Sequence, residues 1–405
     1  MIQLPMDDER EGMRLGVAVR DTDGRVLLGP GVVLNPTYIV QLRQRGFWAV
    51  WIEDNDTQDI PYEENLSEAT RLAATTAVRE TFVMTSREAQ ALRSASIREI
   101  EATLKNQRFQ KIFQHNPIIE TLMEQVDRVV EEVMGREILT GLNSIRTHDA
   151  YTFHHCLDMS VTGIMIGRQL GLTADRLKKL AVGSILHDIG KIFVDDAILN
   201  KQGPLDPQEF KRMKDHTVLG YILIKDNLRL GILPPHIAYQ HHERQDGSGY
   251  PRGLAGSNKI ARGREYAPGR ITLMGEIAAI ADFYDACISD RPYRKGFPPD
   301  QVWQMIRERA GTHFNREIVE VFLACQPVFP LGVQVVMTAG RHKGYKGVVA
   351  RVDRHALDRP VVRLLTDPSG KRIEPLEIDL EKDEEAQVRG IVRPGAIIPD
   401  GEGHD

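Results

Sequence analysis

Ala181, Val182, Ile185, Leu186 and Ile189 fall at helical spacing and make one apolar face. Where that face ends, His187 and Asp188 emerge side by side, followed by Ile189-Gly190-Lys191. Neighbouring side chains on a helix diverge by about 100°. An adjacent His–Asp pair at a helix end therefore suits a compact metal cluster, in which the carboxylate bridges two ions and the imidazole binds one. The dipeptide alone carries little information, because His148-Asp149 and His404-Asp405 repeat it without the apolar lead-in or the Gly-Lys that follows.

The run Gln240-His241-His242-Glu243-Arg244-Gln245-Asp246-Gly247-Ser248-Gly249-Tyr250-Pro251 adds a second pair. Two adjacent histidines offer neutral imidazoles to neighbouring metals. Gly247 and Gly249 are free to take positive φ and Pro251 fixes the exit, so this turn can bring backbone N–H groups and the Tyr250 ring close to a ligand. Three more residues extend the set. His155 opens a helix carrying apolar Met159, Val161, Ile164 and Ile166, His216 follows Met213-Lys214-Asp215, and Asp282 ends the run Ile277–Ala281. Each alone reads as an ordinary core or capping residue. Together they make an imidazole and carboxylate mixture that suits iron or manganese, and also zinc, nickel or cobalt, better than a thiolate site would.

The rest of the composition narrows the setting. Of 405 residues 41% are hydrophobic and 27% charged, which is ordinary for a soluble globular chain. No apolar run approaches the roughly 18 residues a membrane span needs, and the N-terminal residues lack a secretory pattern. Cys156, Cys287 and Cys325 are odd in number and form no CxxC pair, so a reducing cytoplasm is the expected location. The net charge of −5 argues against non-specific binding of DNA or RNA but not against a small phosphate substrate.

The organisation expected is mainly α. Residues 1–62 read as a small ββαβ module, with strands over Arg14–Arg20 and Val26–Val33, a helix from Asn35-Pro36 stopped by Gly46, and a strand over Phe47–Ile52. Residues 63–146 read as a helical connector whose amphipathic stretch could pair with a copy of itself in a homodimer. Residues 147–328 are the helical block with the chemistry. Residues 329–394 show alternation over Val333–Met337, Val348–Arg354, Val361–Leu365 and Ile373–Ile378, read as a small β barrel, and 395–405 as a disordered tail.

The helical block resembles the HD-GYP subgroup of the HD superfamily. The matching pieces are Tyr151-Thr152-x-x-His155, His187-Asp188-Ile189-Gly190-Lys191, Leu199-x-Lys201-x-Gly203-x-Leu205, Met213-Lys214-x-His216-x-x-x-Gly220, His241–Pro251, Ala281-Asp282-x-x-Asp285-Ala286 and Arg291-Pro292-Tyr293-Arg294. The resemblance implies an all-helical HD-type catalytic domain that holds two or three metals and hydrolyses cyclic di-GMP to linear pGpG, GMP or both. It implies that His155, His187, Asp188, His216, His241, His242 and Asp282 are metal ligands. It also makes Lys191, Tyr250, Arg291 and Arg294 the substrate-contacting positions. A hydroxide bridging two metals would be the nucleophile. Asp188 is the best bridging carboxylate, and Lys191, three residues on, is placed to offset charge on a phosphate oxygen.

Two departures from the family pattern stand out. The stretch between Pro251 and Asp282 is longer, with the excess around Asn258–Met274, a basic segment expected to form a mobile flap. Glu276 also stands where an arginine is usual. Members with a third metal need a carboxylate one turn before the first ligand histidine. Here that position is Tyr151, a phenol protonated near neutral pH, and Asp149 lies off the face. Two metals are therefore expected, one held by His155, His187, Asp188 and Asp282, the other by Asp188, His216, His241 and His242. The alternatives are a cyclic di-GMP receptor with little turnover, a hydrolase of another nucleotide, and an interaction protein built on the outer modules. The intact ligand set favours the enzyme.

Overall fold

A computed structural model describes the chain except for residues 7–9, 22–23, 46, 48, 94, 106–116, 137, 139–150, 202, 261–267, 290–295 and 392–405. The elements run β1 (Ile2–Pro5), β2 (Val19–Arg20), β3 (Val26–Leu28), α1 (Pro36–Gln44), β4 (Ala49–Ile52), α2 (Glu68–Ala89), α3 (Ile97–Leu104), α4 (Pro117–Met134), α5 (Tyr151–Gln169), α6 (Ala174–Ile185), α7 (Asp196–Leu199), α8 (Pro207–Ile224), α9 (Leu233–Gln240), α10 (Leu273–Ile288), α11 (Pro299–Glu308), α12 (Arg316–Leu323), then β5 (Gln334–Ala339), β6 (Lys346–Asp353), β7 (Ala356–Thr366), β8 (Arg372–Asp379) and β9 (Gln387–Gly390).

Caps set the helices that frame the site. Thr173 starts α6 and Thr272 starts α10, each side chain accepting a backbone N–H. Asp206 opens α8 with a reciprocal capping box to Glu209, ahead of a proline in the first turn. Among the described residues no helix is long and apolar enough to cross a membrane.

One apolar core runs through this helical body. Val78 and Phe82 of α2 and Leu122, Val126 and Val129 of α4 belong to the same cluster as Leu157, Val161 and Ile164 of α5 and Ile277, Ile280 and Ala281 of α10. The stripe that suggested a self-pairing connector therefore faces inward, with Ile119, Leu122, Val126, Val129, Val130 and Val133 all buried. A buried ion pair reinforces the join. Arg71 on α2 donates to Asp158 on α5 at 2.8 Å and to Glu64 at 2.9 Å. The periodicity of α4 announced an apolar face, but not that α5 and α6 would cover it.

The N-terminal module differs from the expected ββαβ order. β1 pairs antiparallel with β4, from Ile2↔Ile52 to Pro5↔Ala49. The two expected strands shrink to the short hairpin of β2 and β3, extended by an isolated bridge between Arg14 and Val33. Helix α1 begins as its sequence suggests, with Asn35 Oδ1 accepting from Tyr38 N at 2.8 Å. The Gly46 stop lies outside the described residues, as does the tail at 395–405.

The expected C-terminal β barrel is an open sheet. Its five antiparallel strands run β8-β7-β6-β5-β9, and the two edge strands do not pair. Alternation identifies strands but not closure, which depends on tilt and stagger across the whole sheet. Arg359 holds the β8–β9 connection as a turn, donating to the carbonyl oxygens of Leu380 at 2.7 Å and Asp383 at 2.8 Å. The N-terminal module reaches the other end of the sheet. Arg363 donates to Asp59 at 2.7 Å and Arg372 to Asp54 at 2.7 Å, while Ile2 and Ile60 form a small apolar cluster with Val348 and Leu365.

Candidate metal centre

Helix α6 stops at Ile185, and the chain turns through Leu186 into a tight 3-10 segment at Ile189–Phe193. That break is what lets neighbouring side chains converge, because they would diverge on a continuing helix. His187 Nε2 lies 3.2 Å from Asp188 Oδ2. Gly190 makes the next step possible. A Cβ there would lie 2.0 Å from the carbonyl oxygen of His216 and 2.6 Å from Gly220 N, so only glycine lets this turn press against α8. His216, facing inward from α8, then comes within 3.4 Å of Asp188 Oδ1.

His241 caps α9 and His242 begins the turn beyond it. Gly247 takes φ of +80° as expected. Gly249 serves a different need, close approach, because a Cβ there would sit 2.4 Å from Arg244 N and 2.5 Å from the His242 carbonyl oxygen. Glu243, buried in this turn, accepts from Arg252 N at 2.8 Å and Leu254 N at 2.7 Å and so ties the loop back on itself. Tyr250 stacks on His242 with ring centres 4.7 Å apart and planes 25° from parallel.

His155 and Asp282 come from the interiors of α5 and α10. Asp282 Oδ1 lies 3.1 Å from His155 Nε2 and 3.8 Å from His187 Nε2. His155 Nδ1 lies 2.7 Å from Asp285 Oδ2, one turn further along α10.

These contacts set the imidazole tautomers. His187 Nδ1 is 2.7 Å from the Ser184 carbonyl oxygen, His216 Nδ1 is 2.6 Å from that of Met213, and His241 Nδ1 is 3.1 Å from those of Ile237 and Ala238. A carbonyl only accepts, so each Nδ1 carries the proton and each Nε2 presents a lone pair. Yet His216 Nε2 and His241 Nε2 face each other at 3.3 Å, and Asp188 Oδ1, buried beside them, accepts no hydrogen bond. Lone pairs and a carboxylate oxygen turned on one point repel unless a cation lies among them. The donor set therefore fits a metal centre. Three groups have ligand atoms mutually within 4.8 Å: His155, His187 and Asp282; His216, His241 and His242; and His187, Asp188 and His241, which joins the other two.

The electrostatics agree. Burial pushes His241 down to about 3, helped by the neighbouring His187 and His216, so the ring is neutral, the form that ligates. His242 is driven down by burial and by His241. Burial opposes the charge on Asp188, yet His187, Lys191 and His216 together hold its carboxyl well below the usual range. Lys191 Nζ lies 2.8 Å from Asp188 Oδ2.

All seven expected ligands thus meet in one place, with Lys191 and Tyr250 at its border. Arg291 and Arg294 lie outside the described residues, as do Asp149 and the side chain of Tyr151. The 258–274 segment is not a free flap where it is described. Asn258 N donates to Gln245 Oε1 at 3.0 Å, Ile260 N to Glu317 Oε2 at 2.8 Å and Arg270 to the Gly256 carbonyl at 2.9 Å, while Leu273 and Met274 are buried in the first turn of α10. Two positioning residues had no role in the sequence reading, Asp285 and Glu243. Asp285 was legible as a carboxylate three residues after Asp282 on one helix face. Glu243 gave no signal, because its partners are loop N–H groups.

The HD-domain family matches residues 139–318. The chain is 29% identical over 373 residues to a cyclic di-GMP phosphodiesterase of Pseudomonas aeruginosa, covering 89% of this chain and 84% of that one. It is 36% identical over 214 residues to a cyclic di-GMP phosphodiesterase of Thermotoga maritima, covering 53% and 54%. It is 34% identical over 197 residues to a cyclic di-GMP phosphodiesterase response regulator of Xanthomonas campestris pv. campestris, covering 47% and 48%. The chain spans about half the length of the latter two relatives. The family match encloses the ordered histidines and aspartates that converge on Asp188, so residues 139–318 form an HD domain, in a chain similar along most of its length to a cyclic di-GMP phosphodiesterase.

Proposed function

We propose that this chain is a metal-dependent phosphodiesterase that hydrolyses cyclic di-GMP to pGpG, GMP or both. The observation that carries the reading is the set of lone pairs turned on one buried carboxylate, Asp188, which calls for cations there. Two divalent transition metals, iron or manganese before zinc, nickel or cobalt, match this mixture of imidazole and carboxylate. His155, His187 and Asp282 would hold one and His216, His241 and His242 the other, with Asp188 available to both. When bound, such a pair lowers the pKa of a water and polarises a phosphoryl oxygen.

The chain's own residues do the rest. Asp285 orients the His155 ring, and the helix carbonyls orient His187, His216 and His241. Lys191, held against Asp188, places a positive charge where a phosphate oxygen gains charge. Tyr250, Arg291 and Arg294 contact the substrate. The buried free thiols of Cys156, Cys287 and Cys325 accord with a cytoplasmic setting.

The test is a substrate panel on metal-loaded protein, with products identified by chromatography. Turnover of cyclic di-GMP to a linear product is the expected result. Binding of cyclic di-GMP without turnover would make the chain a receptor, and turnover of another nucleotide alone would move the reading to that substrate.

A further inference from the structure

Lys214 lies on α8 two residues before His216. Its Nζ sits 4.4 Å from the centre of the Phe210 ring and 5.1 Å from that of Tyr250. Phe210 meets Tyr250 nearly edge-on at 6.4 Å, and Tyr250 stacks in turn on His242. The ammonium is therefore half-buried and one ring away from the metal centre. Among the described residues no carboxylate lies within ion-pair distance of it, and the adjacent Asp215 is turned to Arg212 at 3.4 Å. Lys191 is the contrast, since its charge is already engaged by Asp188 at 2.8 Å. Aromatic faces hold a cation without neutralising it. A half-buried ammonium in that position keeps its affinity for an anion.

We infer that Lys214 contacts the phosphate of a cyclic dinucleotide that is not being cleaved. This rests on the phosphodiesterase reading. The scissile phosphodiester belongs against Asp188 and the converging imidazoles. Lys214 is set apart from them by the Tyr250 ring, so it addresses a different charge. A cyclic dinucleotide carries such a charge, a second phosphodiester across its macrocycle. A substrate with one phosphodiester does not. Lys214 thereby favours a cyclic dinucleotide over a simple diester and acts on binding rather than on bond cleavage.

The experiment compares the full-length, manganese-loaded chain with Lys214→Met and Lys214→Arg. It measures steady-state kinetics on cyclic di-GMP, metal content, and calorimetric binding of the slowly hydrolysed bisphosphorothioate analogue. Lys214→Met is expected to raise KM about ten- to a hundredfold, the worth of a charge-assisted hydrogen bond. It should weaken analogue binding by a similar factor and leave kcat and metal content near those of the parent. Lys214→Arg should recover most of the loss. Lys214→Gln replaces the methionine variant if that one fails to fold. Unchanged KM and analogue binding would overturn the inference. So would loss of metal, or a fall in kcat at constant KM, since either places Lys214 in the centre itself. A parent chain that binds the analogue but does not turn over cyclic di-GMP would overturn the phosphodiesterase reading instead, and the binding comparison would still decide the role of Lys214.

Discussion

The two halves of the proposed metal centre are held by partly different means. In the first half, His155 and Asp282 come from mid-helix positions and the His155 ring is oriented by another side chain, Asp285, while His187 is oriented by the Ser184 carbonyl. His216 and His241 are oriented by main-chain carbonyls of their own helices, at Met213, Ile237 and Ala238. At His155 the first half therefore depends on the identity of a supporting side chain, because a carboxylate can be mutated away. The second half depends on how closely two stretches of backbone approach, because a carbonyl cannot be removed but can be pushed aside. Gly190 is where that approach is decided.

Asp188 belongs to both halves, so its loss should be the largest effect. Asp188→Ala is expected to lower turnover of cyclic di-GMP by at least about a thousandfold and to deplete both metals, read by kinetics and elemental analysis. Full activity would show that the halves do not meet at this carboxylate.

Gly190→Ala tests the backbone-held half. The new Cβ must displace the main chain of His216, so the folded state should lose about 3 kcal/mol, seen as a lowered midpoint in denaturant, with weaker metal binding at His216, His241 and His242. A variant as stable as the parent would mean that the turn moves away from α8 freely.

Asp285→Ala tests the side-chain-held half. Removing the acceptor of His155 should weaken one metal about ten- to a hundredfold and leave the other, so that stoichiometry at limiting metal falls from two toward one. Equal weakening of both would erase the distinction.

Glu276 stands outside both halves and should have the smallest effect, one that depends on pH. It is buried on α10 between Gln245 Nε2 at 2.7 Å and Asn315 Nδ2 at 3.0 Å, and burial pushes its carboxyl up to about 7 despite those two donors. The folded chain thus keeps a proton that the unfolded chain releases near 4.5. Unfolding releases that proton between these values, so stability falls as pH rises from about 5 to 7. Glu276→Gln lacks this titration. It should gain on the parent by about 2 kcal/mol between pH 5 and pH 8 in thermal unfolding, once the missing acceptor oxygen is allowed for. A pH-independent difference between the two would contradict the burial argument.

The comparison also marks what could be read from the chain. His187 and Asp188 were visible because an apolar stripe ends on them, and His241 and His242 because a glycine-rich turn follows. In the sequence Lys214 is one residue of the Met213-Lys214-x-His216 motif and nothing more. Its place against Phe210 and Tyr250 depends on how α8 meets the loop after α9, which no spacing along one segment encodes. The flap expected at 258–274 failed at its described ends for the same reason. Asn258, Ile260 and Arg270 find partners on the 245 turn, on α12 and at Gly256.

Helix periodicity, capping residues and the order of histidines and aspartates are local properties. They were enough to place the helices of the body and the two adjacent pairs, His187-Asp188 and His241-His242, because each depends on residues a few positions apart, whereas the full donor set was implied by the family resemblance. Which face of α4 is covered, whether the C-terminal strands close, which carboxylate orients His155 and which rings lie against Lys214 all depend on segments far apart in the chain. α4 and α6, β8 and β9, and His155 and Asp285 meet, or fail to meet, only once the core has packed. Burial energies summed over many such contacts settle those questions, and no single stretch of sequence carries that sum.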